Sequence, residues 1–136
     1  MKQEIYKSEK PNVVHAEFDS DLGCIITTWY TLIAPEDTDP CYRALAKFIQ
    51  ENKPSCMIMN TSEAKNTIRQ DDLDWIDTYF FPRAVHYGTK NLIVITPTSS
   101  ITKDAMENYI YVAEKAGLFI KVAKDIEEAR ELASLI

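Results

Sequence analysis

The residues best placed for chemistry are short polar side chains at the ends of two predicted strands. Asn60, Thr61 and Ser62 follow the apolar segment 55–59, while Thr96 and Ser99 end or follow the apolar segment 91–96. Open α/β sheets bind ligands beyond the carboxyl ends of neighbouring parallel strands, where the loops diverge. Hydroxyl groups and an amide would then converge on one rim of the sheet. The same residue types are common as helix caps and turn residues, and the pattern leaves both interpretations open.

A second candidate is a short helix that carries four large aromatic rings, Trp75, Tyr79, Phe80 and Phe81. One core-facing stripe cannot bury all four, so some must pack against other elements, lie at a subunit interface or line an apolar cleft. Trp75 and Phe81 are the candidate contact residues. Arg83, just after a helix-breaking proline, could hold an anion or a carboxylate through its fork of donors, or pair with a nearby acid or helix terminus.

The sequence lacks the residue spacing of a metal site, of a nucleophilic catalytic site and of a phosphate-binding loop. His15 and His86 have no partner at metal-ligand spacing and no nucleophile motif beside them. Asp71 and Asp72 are explained by the preference for acids at a helix start. Three glycines in the whole chain exclude a glycine-rich phosphate cradle. We therefore predict no catalytic residues, no metal site and no cofactor.

Composition sets the class of protein and the compartment. The 136 residues suit one domain, 1–136, and 21 acidic against 15 basic residues give a net charge of -6, the wrong sign for a nucleic acid partner. Three cysteines without C-x-x-C spacing read as reduced and structural. The first residues contain no apolar core of a signal peptide, and no run approaches the ~20 apolar residues of a transmembrane helix. A cytoplasmic location is expected.

The elements that must position these residues follow from periodicity and turn signals. Segments 13–18 and 24–30 predict a hairpin, with Gly23 in the turn, and residues 4–7 could add an edge strand. Asp39 and Pro40 predict the start of a helix that runs to about residue 52. The aromatic helix must kink or restart at Pro82, and Gly88 should end it. Strands at 55–59, 91–96 and 118–122 alternate with helices ended by Gly117 or begun by Asp125. The result is an α/β domain with a mixed sheet, an N-terminal antiparallel hairpin followed by β-α-β-α-β-α.

This order resembles the STAS family, the sulfate transporter and anti-sigma factor antagonist domain, and more closely its stand-alone SpoIIAA-like relatives. The likeness rests on the hairpin 13–30, on Met57-Ile-Met-Asn60, on Trp75-x4-Phe80-Phe-Pro-Arg-Ala84-x3-Gly88 and on the strand 91–96. The resemblance implies a mostly non-enzymatic protein. Some members are partner-switching regulators phosphorylated on a Ser or Thr beside the second helix, and some are proposed to bind apolar or lipid-like ligands. The Asp-(x)-Ser-Gly-like turn of the antagonists is absent, and Asn60-Thr-Ser-Glu63 stands in its place.

We therefore expect a SpoIIAA-like binding domain that is not an enzyme. It would bind a protein partner or a small ligand at the strand carboxyl ends, and could form a homodimer. The alternative is an apolar-ligand or membrane-surface protein in which the segment 75–83 swings open. Burial of Trp75 and Phe81 distinguishes the two.

Overall fold

One six-stranded mixed sheet organises the chain in the computed structural model, which describes residues 1–136. The strands are β1 (Lys2–Lys7), β2 (Val14–Asp19), β3 (Cys24–Trp29), β4 (Cys56–Asn60), β5 (Asn91–Ile95) and β6 (Phe119–Ala123). They lie side by side in chain order. β1, β2 and β3 pair antiparallel, whereas β3 to β6 pair parallel. The predicted mixed sheet and N-terminal hairpin are confirmed, and the possible edge strand is present as β1.

Five α-helices and one π-helical turn cover and connect the strands. They are α1 (Pro35–Asn52), α2 (Gln70–Trp75), the π-helical turn (Ile76–Phe80), α3 (Phe81–His86), α4 (Ser100–Ala116) and α5 (Ile126–Ser134). α2, the π-helical turn and α3 follow one another without a gap, and residues 70–86 are called the aromatic helix below. None of the helices combines the length and the apolar composition needed to cross a bilayer.

The two faces of the sheet are covered very differently. Crossovers between parallel strands are right-handed in nearly all proteins, so three successive crossovers in one direction put their helices on the same face. α1, the aromatic helix and α4 accordingly share a cluster of 26 buried residues with that face. The other face has a smaller cluster of 9, to which the only helix that contributes is α5, through Ala129 and Ala133.

α1 begins five residues earlier than predicted. Pro35 takes the first helical position, where its missing N–H costs nothing, and Pro40 lies inside the helix. The first turn is held by tertiary contact, because the Tyr6 hydroxyl donates to Asp37 Oδ1 at 2.7 Å from the edge strand. The prediction that Asp39 caps this helix is therefore wrong. The sequence analysis placed the start at Pro40, whereas in the structure the turn that begins at Pro35 is helical and contacts β1.

Pro82 changes the hydrogen-bond spacing of the aromatic helix without breaking it. The Phe81 N–H bonds to the carbonyl of Ile76, five residues back, and both Phe80 and Phe81 keep right-handed helical dihedrals. This wider π spacing adds a residue to the turn just before the proline, whose ring and missing N–H disturb the ordinary α ladder. The prediction was a kink or a restart at Pro82, and the restart is wrong, because the π-helical turn continues into α3 without a gap. Gly88, with φ of +103°, ends the helix as predicted.

The other predicted helix ends are confirmed. Gly117 closes α4 with φ of +109°. The Asp125 carboxylate caps α5 by accepting the Glu128 N–H at 2.8 Å. α5 is also held from its side, because Arg130 donates to the Asp19 carboxylate at the end of β2. Only this helix covers the second face, and it contacts the sheet through its own small side chains Ala129 and Ala133 and through that ion pair.

Candidate functional site

The two polar loops of the predicted rim do meet. β4 and β5 are parallel neighbours whose last residues, Asn60 and Ile95, are paired, and the Thr98 hydroxyl donates to the Ser62 carbonyl at 3.0 Å. The side chains, however, are engaged locally. Asn60 Oδ1 accepts the Ser62 N–H at 3.1 Å, and Ser99 caps α4 through the Thr102 N–H at 3.5 Å. The capping and turn interpretation describes these residues.

The predicted rim residues do not line one cleft. Thr61 is fully buried, and its Oγ1 has no hydrogen-bond partner. Thr96 is exposed and lines a cavity of about 330 Å³ together with Pro97, Met106 and Val122 on the β6 side. The expectation that Thr61, Ser62, Thr96 and Ser99 form one site is therefore wrong. An exposed strand end does not by itself make a pocket when loop side chains bond their own backbone.

The aromatic helix divides its rings between the core and the surface. Phe80 and Phe81 are 1% and 0% exposed, and the Phe81 ring packs edge-on against Tyr109 with centroids 5.0 Å apart. Phe81 is a core residue, and its prediction as a contact residue is wrong. Tyr79 is 53% exposed, and Trp75 is partly buried with its ring 6.0 Å from that of Tyr79. Trp75 thus lies at the border between core and solvent.

Trp75 joins two cavities that run between α1 and the aromatic helix. One, of about 260 Å³, is lined by Thr38, Asp39, Tyr42, Arg43, Arg69, Asp71, Asp72 and Trp75. The other, of about 410 Å³, is lined by Arg43, Ala46, Lys47, Gln50, Trp75, Tyr79 and Arg83. They share Trp75 and Arg43. We call the two together the α1 groove, with the first as its acidic end and the second as its basic end.

The acidic end has a two-point ion pair at its base. Arg69 donates twice to the Asp72 carboxylate, at 2.9 Å from both Nε and Nη2, and Asp72 is buried. The hydrogen bond with Asp72 raises the pKa of Arg69. Beneath them the buried Tyr42 hydroxyl lies 3.3 Å from that of Tyr109, and burial raises the pKa of Tyr42 well above its usual value. With raised pKa values, the Arg69 guanidinium stays charged and the Tyr42 hydroxyl stays neutral at neutral pH, so both shape the groove without exchanging protons there.

The basic end carries unpaired positive charge. Arg43, Lys47 and Arg83 are exposed, and no acid is within ion-pair distance of any of them. No acidic residue lines this cavity. Arg83 and Tyr79 also line a shallow cavity of about 300 Å³ beside Pro82 and His86. This arrangement can bind and orient a ligand through charge and aromatic faces.

Cysteine and histidine side chains, which could take part in covalent or metal chemistry, do not line the α1 groove. All three cysteines are buried and free, and burial raises the pKa of Cys41 to about 12, which leaves its thiol protonated and unreactive. His15 contacts Glu4 at 3.5 Å on the second face of the sheet. No group of three His, Cys, Asp or Glu side chains is arranged to hold a metal ion.

Sequence reasoning therefore found two residues of the groove, Trp75 and Arg83, and missed the α1 side. Arg43, Lys47 and Gln50 recur at helical spacing on the outer side of α1. That signal was present, but a polar stripe at helical spacing usually marks a solvated face. Only the packing of α1 beside the aromatic helix shows that the stripe faces other functional side chains.

Comparison with protein-family models, curated proteins and solved structures finds no match to this chain.

Proposed function

We propose that this chain is a non-enzymatic, STAS-like binding domain whose ligand or partner docks in the α1 groove. The observation that carries the proposal is the position of Trp75. Its ring is packed against the core on one side, near Tyr42 and Phe80, yet it lines both cavities of the groove. A partly exposed tryptophan held in place by neighbouring rings is well suited to anchor a bound molecule, because little side-chain entropy remains to be lost.

The π-helical turn supports the same location. It begins directly after Trp75 and contains Tyr79, so its wider spacing rotates the following residues relative to an ordinary α-helix. Phe80 and Phe81 are thereby both directed into the core while Tyr79 stays at the surface. π-turns inside α-helices occur frequently at functional sites.

The interior offers little room for the alternative, an apolar ligand held inside the fold. The cavity between the sheet and the helices, lined by Tyr42, Met59, Phe80 and their neighbours, measures about 10 Å³. That volume holds at most one water molecule. A lipid-like ligand would therefore require the aromatic helix to move away from the sheet, at the expense of the packing of Phe80 and Phe81.

Two hydroxyl residues, Thr61 and Ser62, directly follow β4, and a phosphorylation switch of the kind that the STAS resemblance implies could use only the second. Thr61 is 0% exposed, so a kinase could not reach its hydroxyl in the folded chain. Ser62 is partly exposed, and it lies on the rim and not in the α1 groove. A partner that contacts the groove would be regulated from Ser62 only if it also covers the rim.

Trp75→Ala tests the proposal against the simplest alternative, that Trp75 is only a core residue. Tyr111→Ala is the matched control, because Tyr111 is another aromatic residue, 67% exposed, on α4. Native mass spectrometry of gently purified protein reports a retained ligand, and sedimentation reports a second copy or a partner. We expect Trp75→Ala to lose the retained mass and Tyr111→Ala to keep it. Identical mass and sedimentation in wild type and both variants would contradict the proposal.

A further inference from the structure

The basic end of the α1 groove gathers three positive side chains in an acidic protein. Arg43 and Lys47 are one helical turn apart on α1, and Arg83 reaches the same cavity from α3. Like charges at this spacing destabilise a helix slightly, and none of the three cations forms an ion pair. The chain has 21 acidic residues, and none of them lines this cavity.

The remaining lining of the cavity is aromatic and neutral. Trp75 and Tyr79 present two rings 6.0 Å apart, and Gln50 adds an amide at the far end. The volume of about 410 Å³ lies in the range of small-molecule sites. The acids Asp39 and Asp71 lie beyond Trp75, at the acidic end of the groove. The charge of the groove is therefore divided, with Trp75 at the border.

We propose that the basic end of the α1 groove binds a small organic anion, a carboxylate or phosphate attached to a flat, apolar body. The two guanidinium groups of Arg43 and Arg83 would hold the anionic group through paired hydrogen bonds, and Lys47 would add a third charge. The body would lie along Trp75 and Tyr79. This inference depends on the proposed function, since it names the ligand class for the same groove.

A small molecule fits these features better than a polyanion. Nucleic acids are held by long runs of Lys and Arg that neutralise many phosphates, whereas here three cations face one cavity on a chain of net charge -6. The division of charge also restricts the orientation of the ligand. Its anionic end would be repelled from Asp39 and Asp71, so the ligand would bind in one direction.

The test compares two dyes that differ by one charged group. 8-Anilinonaphthalene-1-sulfonate carries a sulfonate, and N-phenyl-1-naphthylamine has the same rings without it. Each is titrated by fluorescence into the full chain as wild type, as Trp75→Ala and as the triple variant Arg43→Gln, Lys47→Gln, Arg83→Gln. The control triple variant replaces Lys90, Lys121 and Lys124 by Gln, because these are exposed, form no ion pair and carry the same charge in total.

We expect the groove triple variant to weaken binding of the sulfonate dye by about tenfold or more, the size of a lost charged hydrogen bond, and to change binding of the neutral dye by less than about twofold. The control triple variant should leave both dyes unchanged. Equal weakening by both triple variants would show an effect of net charge only and overturn the inference.

Other outcomes separate this inference from the proposed function. If Trp75→Ala weakens both dyes and the groove triple variant weakens neither, the groove binds ligands but the anion assignment fails. If neither variant changes either dye, or no saturable binding is found, the small-anion inference fails, and the retained mass and sedimentation of Trp75→Ala decide the proposed function separately. If the groove triple variant instead abolishes sedimentation with phosphatidylserine vesicles while dye binding is intact, the cations serve a membrane surface and the small-anion assignment is overturned.

Discussion

The ion pair between Asp19 and Arg130 should hold α5 on the second face of the sheet, and Arg130→Gln tests this. The Asp19 side chain is 4% exposed and that of Arg130 is 35% exposed. In the variant, Asp19 Oδ1 still accepts the N–H groups of Asp21 and Leu22 at 3.0 and 3.3 Å, but Oδ2 loses its charged partner. The variant therefore removes the hydrogen bond of one oxygen of a nearly buried carboxylate and keeps those of the other.

The expected magnitude follows from that geometry. Breaking a fully buried ion pair costs about 3–5 kcal/mol, because a charge is left without a partner. Arg130 is about one-third exposed, so water can partly replace it and screening weakens the pair. We therefore expect Arg130→Gln to lower the free energy of unfolding by about 2 kcal/mol, the range of a hydrogen bond to a charged group. The melting temperature should fall by about 6 °C for a domain of this size.

The pH dependence gives this prediction a second readout. Burial tends to raise the pKa of Asp19, but the hydrogen bonds from Arg130, Leu22 and Asp21 outweigh it and lower the pKa below 3.8. A carboxylate whose pKa is lowered by folding stabilises the protein above its unfolded pKa, and this contribution is lost as the pH falls through the folded pKa. The free energy of unfolding that Arg130→Gln loses relative to wild type should therefore be largest at pH 7 and become smaller below about pH 4.

Urea unfolding followed by circular dichroism at pH 7 and at pH 3 measures both effects. Lys115→Gln is the control, because it removes a more exposed ion pair with Asp77, 54% and 30% exposed, and should cost less than about 1 kcal/mol. A loss of free energy of unfolding below about 0.5 kcal/mol for Arg130→Gln at pH 7, the size expected of an exposed ion pair, would refute the reasoning. A loss that is the same at both pH values would refute the role of the Asp19 charge.

Three further predictions concern single residues of the core and the aromatic helix. Thr61→Val should raise the free energy of unfolding by about 1 kcal/mol in urea, because it removes a buried hydroxyl that has no partner; destabilisation would reveal an unseen partner. Phe81→Ala should lower it by about 3–5 kcal/mol while sedimentation and retained ligand in the folded fraction stay unchanged, and an unchanged stability would contradict its place in the core. Pro82→Ala should be neutral or stabilising by about 1 kcal/mol, with slower amide hydrogen exchange at residues 76–86, because it restores a helical N–H; a clear loss of stability would show that the proline is needed for the π-helical turn.

Local sequence signals were sufficient for most of the architecture. The hairpin, the parallel strands and the helix ends at Gly88, Gly117 and Asp125 were predictable, because alternation, apolar runs and capping residues act within a few positions of the chain. The start of α1 at Pro35 was not predicted, and its first turn carries a long-range contact, the hydrogen bond from Tyr6 to Asp37, that local sequence signals do not show.

The candidate site shows the same division between local and long-range causes. The sequence alone determined that this chain is an α/β protein, that an aromatic helix carries Trp75, and that the net charge is negative. Only the tertiary structure decided that Thr61 is buried, that Phe81 belongs to the core and that Arg43 and Lys47 face Trp75 across a groove. The physical reason is that periodicity assigns a residue to a face of its own helix, whereas the packing of that helix against another decides whether the face meets solvent, core or a second functional surface.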